Sequence, residues 1–337
     1  MRRPGAPAEL RRGIPRPARA RVGLCLRPPR PGWDEVPVAL RRTVEHRLGG
    51  RVVRWWSQDG GYSPGLAAVL ETEAGERVFV KAVGADGGST QQLYREEARR
   101  AALLPDGVPT PALRWAQAVP DVPGGPWEVL AFDAGAGRPP RTPWDSAELD
   151  AVVRLSQRIA GHDVAPGVLP EAADELPAVD WDELAQHPGL AGVDPWLVAR
   201  TDRLRALAVD APQAVRGGSL VHGDLRGDNT LVSRGPDGLE AVAVDWPYAV
   251  RGAAFVDAVG LAPAVRLEGG PEPEDLLARA ACGADPDAVT SFLALLTGYF
   301  VGASLQPPPP GIPHLRAFQR AQGEVCVRWL RRRLGAR

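Results

Sequence analysis

The chain has 337 residues, 44% apolar and 24% charged, enough for one large or two medium domains around a sizeable core, which excludes a disordered protein. Its three cysteines, Cys25, Cys282 and Cys326, are far apart and odd in number, which argues against a disulfide framework or zinc site and fits a reducing cytoplasm. The net charge of -1 is unevenly divided: the first 32 residues hold nine arginines against Glu9 alone, which leaves the remaining body acidic, and an acidic body argues against a nucleic-acid partner.

Residues 1–33 read as a flexible basic arm, with no apolar stretch of the kind a signal peptide needs. From Asp34 to Leu48 a short helix is expected, followed by a strand at Arg51 to Trp56. The turn Asp59-Gly60-Gly61-Tyr62-Ser63-Pro64-Gly65 leads into a second strand, Leu66 to Glu71, and Gly75 turns the chain into a third, Arg77 to Ala82. Together they make an antiparallel meander with Lys81 near its end. Ser89 and Gln92 read as a capping box opening a helix that runs to Leu104, before Pro105 and Gly107 stop it. On this helix Glu97 shares a face with Leu93, Ala101 and Leu104 and so points inward, while Glu96 points more to the side. A carboxylate on an apolar face needs a cation, and Lys81 is the candidate.

Two more strands, Ala112 to Ala118 and Trp127 to Phe132, end in Asp133-Ala134-Gly135-Ala136-Gly137, a small-residue stretch that suits a connector between lobes. Beyond it the chain reads as mainly helical, interrupted around Val221 to Trp246. The apolar run Val289 to Leu305 is about 17 residues long and broken by Thr290, Ser291, Thr297, Gly298 and Tyr299, so a buried core helix is expected and no membrane span. A last helix, His314 to Leu334, places Leu315, Phe318, Val325 and Trp329 on one side and arginines on the other.

Among 39 arginines there is one lysine, Lys81, and the chain also has a single asparagine, Asn229. Arginine is a wide planar fork and lysine a compact point charge, so a lysine retained at one position marks a slot that geometry reserves for it. Asn229 lies in Val221-His222-Gly223-Asp224-Leu225-Arg226-Gly227-Asp228-Asn229-Thr230-Leu231-Val232, and Ala241-Val242-Ala243-Val244-Asp245-Trp246 follows after a short hairpin. Phosphoryl transfer from a nucleotide needs a carboxylate to orient and deprotonate the accepting hydroxyl, and oxygen ligands to hold magnesium on the triphosphate. Asp224 suits the first role, and Asn229 and Asp245 the second. Gly-Asp and Gly-Asp-Asn also favour turns on backbone grounds alone, which explains Asp228 as well as any chemistry does.

These residues resemble the aminoglycoside phosphotransferase and choline kinase family, which has the bilobal protein-kinase-like α+β fold. The pattern is His-Gly-Asp with Asn five positions on, then Asp-Trp, with Val-Phe-Val-Lys-Ala and an Arg-Glu-Glu-Ala helix upstream, over roughly residues 50–335. The resemblance implies a small N-lobe, 34–133, with an antiparallel sheet and one helix that bind the nucleotide, and a larger helical C-lobe, 134–337, with the catalytic loop and acceptor site. It implies Asp224 as catalytic base, Asn229 and Asp245 as Mg2+ ligands, Lys81 on the α- and β-phosphates of ATP or GTP, and Glu97 as the partner that positions Lys81. Phe132 and Ala134, at the inter-lobe connector, belong to the expected nucleotide site. His222 and Asp257 are expected to support the loop. Arg226 is placed to neutralise charge on the phosphoryl group in flight, although a plain surface arginine explains it equally well. Gly60, Gly61 and Ser63 offer backbone donors and a hydroxyl near the phosphates, as would an ordinary hairpin turn.

The acceptor is less constrained. Between Ile159 and Ala199 lie Asp163, Glu171, Asp174, Glu175, Asp180, Asp182, Glu183 and Asp194, with no lysine or arginine. An acidic wall beside the catalytic loop would hold a cationic, aminoglycoside-like substrate, whereas a solvated insertion explains the same run. Trp181 and Trp196 suit sugar stacking or core packing. The expected protein is a cytoplasmic monomer or homodimer that phosphorylates a hydroxylated, cationic small molecule. A metabolic kinase for a choline-, homoserine- or fructosamine-like acceptor and a silent nucleotide-binding module are the alternatives.

Overall fold

A computed structural model of the chain describes residues 30–58, 64–236, 238–280, 283–309 and 314–335. Helix α1 (Val38–Leu48) ends on Gly49 in the left-handed region, φ 71°, and is followed by β1 (Val52–Ser57), β2 (Leu66–Thr72) and β3 (Arg77–Val83). These three form the expected antiparallel meander, with Ala67 opposite Lys81. After α2 (Ser89–Ala101) come β4 (Leu113–Val119) and β5 (Trp127–Asp133). β5 pairs with β3, so the sheet runs β1-β2-β3-β5-β4 and Lys81 lies on its central strand, flanked by Ala67 and Leu130.

The two-residue period of β3 divides its side chains between the faces of the sheet. Val78, Val80 and Ala82 pack with Trp33, Val36, Leu40 and Val44 on one face. Phe79 and Val83 pack with Tyr94 and Phe132 on the other, the face that α2 covers. Trp33, expected within the basic arm, is therefore a core residue, 5% exposed. The capping box does not form. A short turn, Ala85–Gly87, delivers the chain so that helical geometry begins at Ser89; Gly88, φ 55°, takes the cap position and Gln92 turns to Glu96.

The remaining helices are α3 (Ser146–Ala160), α4 (Trp181–Gln186), α5 (Leu190–Val193), α6 (Pro195–Val198), α7 (Thr201–Ala214), α8 (Val256–Leu267), α9 (Pro273–Ala280), α10 (Pro286–Ser304) and α11 (Leu315–Arg333). Their shared core contains Leu155, Ile159, Leu204, Val259, Leu293 and Leu330, all fully buried. α10 has the length and apolarity of a membrane span, yet 56% of its apolar window is buried within the fold, as a core helix requires. Val325 and Trp329 of α11 are buried as expected, but so are Cys326, Val327 and Leu330, so its packed face is wider than a simple amphipathic stripe.

Four short strands complete the architecture. β6 (Ser219–Val221) pairs with β9 (Val250–Gly252), and β7 (Thr230–Gly235) forms a hairpin with β8 (Gly238–Ala243). The pairing makes residues 222–229 and 244–249 emerge side by side, which places the two halves of the motif in one place.

Candidate active site

A cavity of about 400 Å³ opens between the five-stranded sheet and the helical half of the molecule. Lys81, Glu97 and Phe132 line it from one side, and Asp224, Arg226, Asn229 and Asp245 from the other. Ala134 is not among its lining residues, although its neighbours Asp133 and Gly135 are. Gly60, Gly61 and Ser63 lie outside the described residues.

Lys81 is 7% exposed and Glu97 2%. The lysine Nζ donates to both Glu97 oxygens at 2.8 Å and also to Asp245 Oδ1, so one ammonium joins β3, α2 and the residue after β8 and Val244. It lies 5.6 Å from the centroid of the Tyr94 ring. Burial would lower the Lys81 pKa, but the carboxylates of Asp245 and Glu97 outweigh it and the pKa is raised. Burial likewise pushes Glu97 up, with Lys81 opposing. For Asp245, Lys81 overcomes the effect of burial and holds the carboxyl below its usual range. Lys81 and Glu97 are the buried members, and removing Lys81 would leave Glu97 without its counter-charge at a cost of roughly 3–5 kcal/mol. Asp245 is also the one non-glycine residue with positive φ, 74°, among the described residues.

The Asp224 loop is built from hydrogen bonds. Asn229 donates from Nδ2 to the Asp224 backbone oxygen at 2.9 Å and to Asp224 Oδ2 at 3.1 Å. Asp257, at the start of α8, accepts from the backbone N–H of His222 at 2.8 Å and of Gly223 at 3.0 Å. His222 Nε2 lies 3.1 Å from the Val244 oxygen, and its Nδ1 accepts from Asp224 N at 3.3 Å, an arrangement that only the neutral imidazole satisfies. Burial agrees, pushing its pKa down to about 4. The supporting parts expected of His222 and Asp257 are those the geometry displays.

Burial raises the Asp224 carboxyl to about 6, with Arg226 pulling the other way. Arg226 is held by Asp228, Nε to Oδ1 at 3.1 Å and Nη2 to Oδ2 at 3.4 Å, and its Nη2 is 3.6 Å from Asp224 Oδ2. Asp228, which turn chemistry alone explains in the sequence, therefore aims the arginine into the cavity. Arg30, Tyr94 and Tyr248 also line the cavity and were not among the expected site residues. Tyr94, three residues before Glu97 on the same helical face, was readable by periodicity; Arg30 and Tyr248 carry no local signal.

Among the described residues no cluster of three or more His, Cys, Asp or Glu has a metal-binding arrangement. Magnesium on a nucleotide does not require one, since one or two side-chain oxygens and the phosphates suffice. Asn229 spends its amide N–H groups on Asp224, which leaves its carbonyl oxygen for a cation, and the Asp245 carboxylate is the second hard donor on the same cavity.

The family model of the phosphotransferase enzyme family matches residues 59–292, more than two-thirds of the chain and all the loop residues just described. The chain belongs to this family. As a phosphotransferase it is similar in fold to the amicoumacin kinase hAmiN in complex with AMP-PNP, Ca2+ and Ami, at 17% identity and a TM-score of 0.51, over 85% of this chain and 95% of the other. It is also similar to a spectinomycin phosphotransferase in complex with ADP and spectinomycin, at 11% identity and a TM-score of 0.54, covering 86% and 97% of the two chains. A choline/ethanolamine kinase family protein from Mesorhizobium loti gives 14% identity and a TM-score of 0.54, with 87% and 94% covered. At such identities the likeness is one of fold, the α+β bilobal arrangement of protein-kinase-like phosphotransferases. A search of the curated proteins finds no match.

The acidic stretch before α7 has a different use from the one expected of an acceptor wall. Asp180 caps α4 by accepting from Asp182 N and Glu183 N, both at 2.9 Å. Asp194 caps α6 and binds Arg331 at 2.7 Å. Glu171 pairs with Arg251, Glu175 with Arg100 and Asp182 with Arg205. None of the eight carboxylates lines the cavity. Trp181 is core, 2% exposed beneath Gly298, and Trp196 is covered by the Arg331 guanidinium, 5.2 Å from its ring centroid.

Proposed function

We propose that this phosphotransferase moves the γ-phosphoryl group of ATP or GTP to a hydroxyl of a small molecule. One observation supports this above the rest: Lys81, more than 140 residues before the motif of Asp224, Asn229 and Asp245, shares one cavity with it and touches Asp245 across it. In this reading residues 34–133 form the nucleotide lobe and 134–337 the lobe of the catalytic loop and acceptor. Lys81, held by Glu97, binds the α- and β-phosphates. Phe132 packs against the base, Gly60, Gly61 and Ser63 are assigned to the phosphates, and Ala134, which does not line the cavity, is given no contact. Asn229 and Asp245 hold Mg2+, which when bound neutralises charge on the triphosphate.

Asp224 accepts the proton of the attacking hydroxyl. A carboxylate raised to about 6 is still ionised at neutral pH and more basic than an ordinary aspartate, which suits a general base. Arg226, fixed by Asp228, stabilises the equatorial oxygens of the phosphoryl group during transfer. The intact set of Lys81, Asp224, Asn229 and Asp245 disfavours a silent nucleotide-binding module.

For the acceptor we infer a hydroxylated natural product or metabolite, with cationic compounds tried first. Support for the cationic class comes from the compounds named for the structural neighbours, and none comes from the acidic insertion. The test is incubation with Mg2+, ATP or GTP, and a panel of amicoumacin, spectinomycin, other aminoglycosides, macrolides, choline and homoserine, read by mass spectrometry. A phosphorylated acceptor supports the proposal; nucleotide binding with no product across a broad metabolite panel would favour the silent module.

A further inference from the structure

α2 carries three arginines in its second half, and they do not behave alike. The side chains of Arg95 and Arg99 are 50% and 48% exposed, whereas that of Arg100 is 5% exposed. Arginine is almost never buried unless its charge and donors are satisfied. Here they are shared among three parts of the chain. Nε faces Glu96 Oε2 on its own helix at 3.3 Å, Nη1 donates to the Ala249 backbone oxygen at 3.2 Å, and Nη2 donates to Glu175 Oε2 at 3.1 Å.

The two distant partners sit where the proposed chemistry would feel them. Ala249 closes a tight turn with Trp246, its N–H donating to the Trp246 oxygen at 3.2 Å, and that turn begins one residue after Asp245. Tyr248 in the same turn lines the cavity, and its carbonyl packs so closely on Gly223, next to Asp224, that a Cβ there would come within 2.4 Å. Glu175 belongs to the insertion between α3 and α4. One turn back along α2, Glu97 holds Lys81. The helix is thus fastened to the other half of the molecule twice, inside the cavity through Lys81 and outside it through Arg100.

We infer that Arg100 is a positioning residue: by gripping the Trp246–Ala249 turn and Glu175 it sets the distance between α2 and Asp245, and so keeps the Lys81 ammonium aligned on Glu97 at the phosphate site. Its effect on turnover rests on the proposed function, but its effect on Lys81 does not. Neither Glu97 nor Asp245 needs to change for the alignment to be lost. A long, rigid, five-donor fork is the side chain that can hold a carbonyl and two carboxylates at once.

The single lysine makes a direct test available. An amine-reactive acylating reagent can modify only Lys81 and the N-terminal amine, and the two are resolved by peptide mass spectrometry, with the N-terminus as internal reference. In folded Arg100→Met, Lys81 labelling is expected to speed up by about tenfold, and kcat to fall by about tenfold with acceptor KM within about twofold. Glu175→Gln, which alters one half-exposed partner, should speed labelling about threefold, and Arg100→Met should add less in that background than alone. Should Arg100→Met fail to fold, Glu175→Gln decides. Labelling and kcat within twofold of the unmodified protein in the folded variants would overturn the inference. If the unmodified protein transfers no phosphoryl group, the functional proposal fails, while the labelling comparison still judges Arg100.

Discussion

Two groups of carboxylates in this molecule look alike in sequence and differ in what satisfies them. Those of the insertion, between α3 and α7, cap short helices or pair with arginines: Asp180, Asp182, Asp194, Glu171 and Glu175. Those of the cavity, Glu97, Asp224 and Asp245, line one shared concave site, Glu97 buried and the two aspartates partly open to it, and each has its pKa moved. The insertion acids are turned onto helix caps and arginines away from the cavity, whereas the cavity acids, though paired with Lys81 or set beside Arg226, face the space a ligand would enter and have shifted pKa values. Density of acidic residues along the chain is therefore a poor guide to which of them act on a substrate.

The largest effects are expected in the cavity. Asp224→Asn preserves size and should cut kcat by about a hundredfold or more, with nucleotide affinity within a few-fold, as stopped turnover and titration with a fluorescent nucleotide would report. Unchanged turnover would remove Asp224 from the proposed mechanism. Lys81→Arg keeps the charge but not the shape, and should lower kcat/KM for nucleotide by at least about tenfold; near-normal kinetics would mean that phosphate geometry does not hold the lysine.

The loop beneath Asp224 should show itself in acid. The folded pKa of His222, about 4, lies below its ordinary 6.5, so the unfolded chain binds the extra proton between these values. Its contribution to stability is therefore present above pH 6.5 and lost as pH falls toward 4. Asp257, raised to about 6 by burial, has the opposite sign: the folded form binds the proton, and stability grows as pH falls from about 6 toward 3.8. Thermal melts of the unmodified protein and His222→Asn separate the two. The difference in melting temperature between them should narrow by roughly 5 °C between pH 7 and pH 4.5, and a constant gap would show that His222 does not titrate as described.

Smallest are the changes in the insertion. Asp180→Ala removes a helix cap and should cost about 1 kcal/mol in denaturant unfolding, and Asp182→Ala, an exposed partner of Arg205, less than about 0.5 kcal/mol. Neither should alter the KM of any acceptor by more than about twofold. A larger rise in acceptor KM would make the insertion part of the binding site after all.

The N-terminal meander, α2 and the β7–β8 hairpin were legible because their signals are local: alternation, glycine turns and helical periodicity within a dozen residues. Lys81, Glu97, Asp224, Asn229 and Asp245 were legible for a related reason, since each stands at a fixed offset in a short motif. The β6–β9 ladder was not, because three-residue strands carry no periodicity of their own and are joined only by tertiary structure. The fate of the acidic stretch was hidden in the same way: Asp194 and its partner Arg331 are 137 residues apart, and no window along the chain includes both. Gly88 displaced the Ser89 cap for a reason that lies in the turn preceding it.

Asp245 holds a backbone conformation that side-chain-bearing residues adopt at a cost of about 1 kcal/mol and that glycine adopts freely. Glycine at this position would relieve that strain, but it would also take away the carboxylate that the buried Lys81 reaches across the cavity, so the ion pair would be given up along with the chemistry. The left-handed aspartate is thus held in place by its ion pair against the preference of its own backbone.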